Sequence, residues 1–179
     1  MNQIKIHQIK NPDDLYFNEF WRIYSGSFPL NEKRFIKQQA AIFKNSAYQL
    51  NIYISGNQLI GFISFWMAEE FTFTEHLAIA PELRNQGKGK AILKSFVESN
   101  QIPIILEIEP PVDNTTCSRL RFYTSQGFKL NNHKHLQPTY HNGDEPVPMK
   151  ILTYPAKISD SDYQLFARFQ KDIVLSSHS

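Results

Sequence analysis

"AIAPELRNQGKGKAILKSF", residues 78–96, sets a short basic loop with two glycines between an apolar strand pattern and an apolar helical one. Upstream, Phe71, Phe73, Glu75, Leu77 and Ile79 recur at period 2, so the spacing predicts a strand carrying all five side chains on one face. Downstream, Ile92 with Phe96 and Leu93 with Val97 fall four apart, opposite Lys88, Lys90, Lys94 and Glu98, which predicts an amphipathic helix packed on a sheet. A loop entering a helix offers unpaired backbone N–H groups and the positive end of the helix dipole. Gly87 and Gly89 let a ligand approach that backbone, while Arg84, Lys88 and Lys90 add charge, so the loop reads as an anion site suited to phosphate. A Walker loop is excluded by Arg84 where its first glycine belongs and by Ala91 where Ser or Thr belongs. A dinucleotide fingerprint is excluded by Ile92 in place of the third glycine.

The rest of the chain reads outward from this unit. Residues 4–9 alternate as a strand, "NPDD" supplies helix-start chemistry before Leu15, Phe17, Phe20, Trp21 and Tyr24, and a second helical pattern carries Phe35, Ile36, Gln39 and Phe43. "YQLNIYI" and "QLIGFISFWMA" predict a hairpin turning at "SGN". After the glycine loop, "IPIILEIE" predicts a buried strand, "PPVDNTTCSRLRFYTSQGF" a loop and a helix ending at Gly127, and "EPVPMKILTYP" a late strand. A polar helix is predicted over about 160–174, and residues 131–148 form the least regular stretch.

The 179 residues, 41% hydrophobic, predict one domain over 1–179, with a core over about 1–155. Lys and Arg number 19 against 17 Asp and Glu, and a net charge of +2 is too small for a general polyanion-binding field, so no nucleic-acid partner is expected. One cysteine, Cys117, excludes an internal disulfide framework and fits a reducing compartment. With no signal-peptide stretch and no run near the ~20 apolar residues of a membrane span, the expectation is a soluble cytoplasmic protein without a membrane partner.

The strand "EHLAIA", the loop with Arg84, Gly87 and Gly89, and the following helix resemble the GNAT N-acetyltransferase superfamily, whose signature is Arg or Gln, two residues, Gly, any residue, Gly or Ala. "RLRFYTSQGFKL" resembles the family's later helix with its "FY" pair and the "GF" of the next strand, and the order of elements over about the first 155 residues matches as well. The resemblance implies an α+β fold with a mixed, largely antiparallel central sheet flanked by helices and splayed between the fourth and fifth strands. It implies acetyl-CoA as cosubstrate, its pyrophosphate held by Arg84, Asn85, Gln86, Gly87, Lys88, Gly89 and Lys90. Its pantetheine arm would lie against the backbone of Leu77 and Ile79, and a backbone N–H at Leu77 or Ala78 would meet the oxyanion. Thr116 stands where the family often places an asparagine that bonds the arm, with Asn114 two residues earlier.

Acetyl transfer to an amine needs a neutral nucleophile, a stabilised oxyanion and a proton for the departing thiolate. Glu75 is the leading base, on an apolar face that would raise its pKa; the alternative is a rim carboxylate that only orients substrate or pairs with a neighbour. Tyr123 matches the family position whose phenol protonates the thiolate, or else it is half of an ordinary core pair. Glu107 and Glu109 share a strand face, as a path for the amine or as a solvated edge, and three carboxylates near the cleft favour a cationic acceptor. Phe28, Tyr140 and Tyr154 are candidate walls of the acceptor pocket. His133, His135, His141 and Asp144 fit no standard metal spacing and read as solvated loop residues, so no metal is expected. The function expected is amine acetylation by direct attack in a ternary complex, with a small-molecule amine or peptide as acceptor and a homodimer left open. The alternative is a non-catalytic module that binds acyl-CoA or a nucleotide.

Overall fold

A computed structural model of the chain describes residues 4–175; residues 1–3 and 176–179 of the expected domain lie outside the described residues. The elements run β1 (Ile4–Gln8), α1 (Phe17–Ser27), α2 (Ile36–Ile42), β2 (Tyr48–Ser55), β3 (Gln58–Met67), β4 (Thr72–Ile79), α3 (Lys88–Ser99), β5 (Ile104–Ile108), α4 (Asn114–Ser125), β6 (Lys129–Leu130), β7 (His135–Gln137), β8 (Val147–Tyr154) and α5 (Asp160–Phe169). Short 3-10 turns at Leu30–Glu32 and Pro81–Leu83 and a π-helical turn at Gln170–Val174 complete them.

The strands form one sheet in the order β1-β2-β3-β4-β5-β8-β6, with β7 added on β8. Every pairing is antiparallel except β4 with β5. The expected mixed, helix-flanked sheet is therefore the one observed. Helices cover both faces, because the central strands β3 and β5 bury side chains on both sides. One face packs Phe17, Phe20 and Tyr24 of α1, Ile42 of α2 and Phe166 of α5 against Phe62, Trp66, Phe73 and Ile105. The other packs Ile92, Leu93 and Phe96 of α3 and Tyr123 of α4 against Ile63, Phe65, Leu106 and Ile108.

Two departures from the strand pattern position the site. The β3–β4 register passes from Phe65↔Thr74 to Ser64↔His76, so Glu75 has no partner and forms a β-bulge. The extra residue reverses the alternation. Phe71 and Phe73 belong to the α1 and α5 side, whereas Leu77 and Ile79 pack on the α3 and α4 side, so the five side chains do not share one face as period 2 predicts. The second departure is that β4 and β5 pair only at Thr72↔Ile104, Phe73↔Ile105 and Thr74↔Leu106. Beyond Thr74 the two strands part, which is the expected splay between the fourth and fifth strands. Strands bend at a bulge, so the unpaired Glu75 is the physical cause of the separation.

Candidate active site

The splay opens into a cleft of about 570 Å³ lined by β4 from Thr74 to Ile79, β5 from Leu106 to Glu109, the loop before α3, Phe122 and Tyr123 of α4, and Phe28 to Glu32 beyond α1. Ala80 donates its N–H to Ile60 of β3 at 2.8 Å, so by alternation the N–H of Ala78 also turns into β3. The N–H groups of Leu77 and Ile79 consequently face the opening. At the other end stands the N-terminus of α3. Its N-cap Gly87 has φ +72, and a Cβ built there would meet nothing within 4 Å, so the space beside it is open. Asn85 is also left-handed at φ 61, and the turn the two make leads into α3, whose first turn borders the cleft at Gly89 and Lys90. With no acidic residue in the first turn of α3, that end is a positive, donor-rich wall.

Tyr123 comes to the cleft from the third turn of α4, whose start is fixed by a capping box between Asp113 and Thr116. Its ring packs on Phe122 and Phe128, while its hydroxyl makes no hydrogen bond among the described residues. Burial pushes the phenol up to about 12, against a smaller opposing pull from Arg119. It therefore stays protonated at neutral pH, the state a proton donor needs.

The carboxylates that line the cleft are Glu32, Glu75, Glu107 and Glu109. The Glu75 side chain turns into the core, 1% exposed, where Oε1 accepts from Arg34 at 2.7 Å and Tyr140 at 2.8 Å, and Oε2 accepts from Trp66 Nε1 at 2.8 Å. Burial alone would raise its pKa, but Arg34 above all, then the hydrogen bonds from Trp66 and Tyr140, hold it below the usual carboxylate value. Glu107 is buried too, accepting from Gln137 at 3.3 Å, Gln170 at 2.7 Å and His135. Glu109 is ion-paired with Arg119.

A family model for the acetyltransferase (GNAT) domain matches residues 46–130, from β2 through β6. A solved structure from Bacteroides thetaiotaomicron, assigned to the GNAT family, is 30% identical and superposes with a TM-score of 0.89 over 96% of this chain and 98% of its own. The chain belongs to the GNAT acetyltransferase family. The Bacillus subtilis (strain 168) protein YjbC, designated an acetyltransferase, is 30% identical over 104 residues, 57% of this chain, and the match spans 52% of that relative's length. A GNAT acetyltransferase from Elizabethkingia anophelis, solved with acetyl-CoA bound, shares the fold at a TM-score of 0.58 and 18% identity, covering 84% of this chain and 96% of that one.

Against the GNAT expectations, Phe28, Glu75, Leu77, Ala78, Ile79, Arg84, Asn85, Gly87, Gly89, Lys90, Glu107, Glu109 and Tyr123 all border the cleft. Gln86, Lys88, Thr116 and Tyr140 do not. Gln86 donates to the Glu82 carbonyl at 3.1 Å. Thr116 is occupied by the helix start, its hydroxyl accepting from Val112 and Asp113 at 3.0 Å each. Tyr140 lies under Arg34 in the Glu75 network, and Tyr154 packs on Phe128. Arg84 spends its guanidinium on the Ile79 carbonyl and Ser27 Oγ, bracing the loop to β4 and α1. The expected rise in the Glu75 pKa is corrected by Arg34, and the expected solvation of His135 is corrected by its burial against Glu107. Cys117 is only partly buried and lies outside the cleft lining. Among the described residues no group of three or more His, Cys, Asp or Glu is arranged to hold a metal, and no helix is long and apolar enough to cross a membrane.

Sequence reasoning missed Glu32, Arg34, Thr74, His76, Arg119 and Gln137. Glu32 and Arg34 shared the one usable signal, charges between two helical patterns of large aromatics. His76 donates Nε2–H to the Glu32 carbonyl at 2.8 Å, which leaves Nδ1 as its acceptor toward Ser64; burial holds it below the ordinary histidine value and neutral.

Proposed function

We propose that the protein transfers the acetyl group of acetyl-CoA to a primary amine by direct attack in a ternary complex. The observation that carries this reading is one continuous cleft joining the open α3 N-terminus, the free β4 edge and the unpartnered Tyr123 hydroxyl. The amides at the start of α3, with Lys90 beside them, hold the pyrophosphate. Leu77 and Ile79 offer their backbone to the pantetheine arm, and the Leu77 N–H, which faces the opening, takes the oxyanion role in preference to Ala78. Tyr123 gives its proton to the departing thiolate. With Cys117 outside the cleft, direct attack suits the site better than an acyl-cysteine.

The acceptor side calls for N–H donors. Thr74 Oγ1 and Gln137 Oε1 are buried without partners among the described residues, and both residues line the cleft. The amide of Gln137 is oriented by Glu107, because a carboxylate accepts from Nε2 and leaves Oε1 for a donor from elsewhere. A cationic amine supplies such donors and meets a wall rich in carboxylates.

Thiol release from acetyl-CoA against a panel of polyamines, amino acids, aminoglycosides and peptides tests the reading, with Tyr123→Phe as its internal control. The phenylalanine variant should keep its stability and its KM for acetyl-CoA, while turnover falls by ~10²–10⁴, the usual range for general acid catalysis. Coenzyme A binding with no thiol release on any amine would instead establish a non-catalytic binding module.

A further inference from the structure

We propose that Glu32 is the general base of the reaction, its carboxylate taking the proton that the attacking ammonium must lose. The inference rests on the acetyl-transfer reading and adds a residue to it. It comes from an elimination among the carboxylates at the cleft. Glu75 accepts from Arg34, Tyr140 and Trp66, Glu107 accepts from His135, Gln137 and Gln170, and Glu109 is paired with Arg119. Three of the roughly four lone-pair sites on each of Glu75 and Glu107 are committed to donors inside the protein. Both side chains are buried, so neither is as well poised as Glu32 to receive a proton from substrate. Glu32 alone of the four has no hydrogen bond or ion pair on its carboxylate among the described residues.

Its backbone, by contrast, is held at both ends. The Glu32 N–H donates to the Pro29 carbonyl at 3.1 Å, and its carbonyl accepts from His76 Nε2 at 2.8 Å. His76 sits on β4 directly after the bulge, so the contact ties the 3-10 turn to the point where the strands part. A fixed backbone with a free carboxylate is the arrangement a base requires: positioned, but not already satisfied.

The charges around Glu32 suit the role. From β5, Glu107 disfavours a second negative charge, and from α4 Arg119, itself engaged by Glu109, favours it. From β4, Glu75 is neutralised by Arg34, and His76 is neutral. On its own turn, the Lys33 ammonium is directed to the Ser25 carbonyl, and His141 bonds the Leu30 carbonyl at 3.0 Å. Partial burial is the largest influence, and the carboxyl is raised above its ordinary value, toward the pH at which it works.

The proton balance closes. Glu32 takes one proton from the ammonium and passes it to solvent; the nitrogen lone pair then adds to the thioester carbon, forming the N–C bond and an oxyanion whose collapse breaks the C–S bond. The second proton on nitrogen leaves by the same carboxylate, the thiolate takes one from Tyr123, and solvent restores the phenol. One proton is released for each amide formed.

The test is the pH dependence of kcat/KM for any amine that the thiol-release panel identifies, in the wild type and in Glu32→Gln. With a protein base, kcat/KM is level between the carboxyl pKa and the amine pKa. Without one, only free amine reacts and the rate climbs about tenfold per pH unit up to an amine pKa near 10. Glu32→Gln should therefore lose ~10²–10⁴ at about pH 7 and approach the wild type as the pH nears the amine pKa, with calorimetric coenzyme A affinity unchanged. In the unliganded wild type, the carboxyl carbon resonance missing from Glu32→Gln should titrate above the ordinary carboxylate range. Parallel pH profiles, near-wild-type rates in the variant, or a resonance titrating at or below the ordinary value would remove Glu32 from the mechanism while leaving acetyl transfer intact. If the variant does not fold, a wild-type profile that itself climbs tenfold per unit across neutral pH overturns the proposal. Coenzyme A binding without thiol release on any amine overturns the acetyl-transfer reading and Glu32 with it.

Discussion

At the scale of the residue, Glu75 shows how little a side chain's neighbours in sequence say about its chemistry. Beside Phe73 and Leu77 it resembles a carboxyl kept neutral by apolar surroundings. In the fold it is half of an ion pair with both side chains at most 1% exposed. A buried pair costs much desolvation to form, but removing one partner strands the other charge. Arg34 already has one buried nitrogen, Nε, without a partner among the described residues. Glu75→Gln should therefore cost about 3–5 kcal/mol of stability, as measured by urea unfolding. Any loss of turnover in that variant should track the loss of folded protein. If stability stays within experimental error while turnover and the acid limb of the pH profile collapse, Glu75 is the base after all and the Glu32 assignment is wrong.

At the scale of the element, the loop from Arg84 to Gly89 and helix α3 behave as one unit. The loop is braced from behind by Arg84 to Ile79 and Ser27, and Gln86 closes it on Glu82, so its amides are presented rather than free to wander. Gly87 matters through its left-handed φ and through the open space in front of it. Gly87→Ala should cost ~1–2 kcal/mol, the price of a Cβ in that conformation. Gly87→Trp should add a block to the phosphate site and abolish coenzyme A binding by calorimetry. Unchanged affinity in the tryptophan variant would move the phosphate site off this loop.

At the scale of the whole molecule, both sheet faces and the chain's end converge on the cleft. Arg34 bonds the Val174 carbonyl at 2.9 Å, and Gln170 of the π-helical turn bonds Glu107, so the C-terminal segment is part of the wall behind the acceptor side. Two of the buried titrating groups, His76 and Glu75, share a sign. The pKa values of His76 and Glu75 are both lower in the fold than in the unfolded chain. Their stabilisation is thus fully present above the unfolded values, about 6.5 for histidine and 4.3 for glutamate, and is lost as pH falls toward the folded ones. Thermal unfolding should show stability declining first below about pH 6.5, and more steeply below about pH 4.5. A His76→Gln variant should lose the first decline and keep the second; a variant that still loses stability between the two values would assign the first step to another group.

What the sequence by itself determined is local. The period-2 and i, i+4 patterns place β2, β3, β4, α3 and α4, since those periods follow from backbone dihedrals that each segment adopts on its own account. The glycine loop and "FYTSQGF" bring Gly87, Gly89 and Tyr123 to the cleft because the motifs carry their strand and helix with them. Tertiary structure alone decided the chemistry of the carboxylates. The bulge at Glu75 arises from pairing with β3, and no residue of β4 announces it. Glu75 meets Arg34 across 41 positions and Tyr140 across 65, and Glu107 meets Gln170 across 63. A pKa, a filled lone pair or a free one is a sum over neighbours in space, and none of those neighbours is adjacent in the chain.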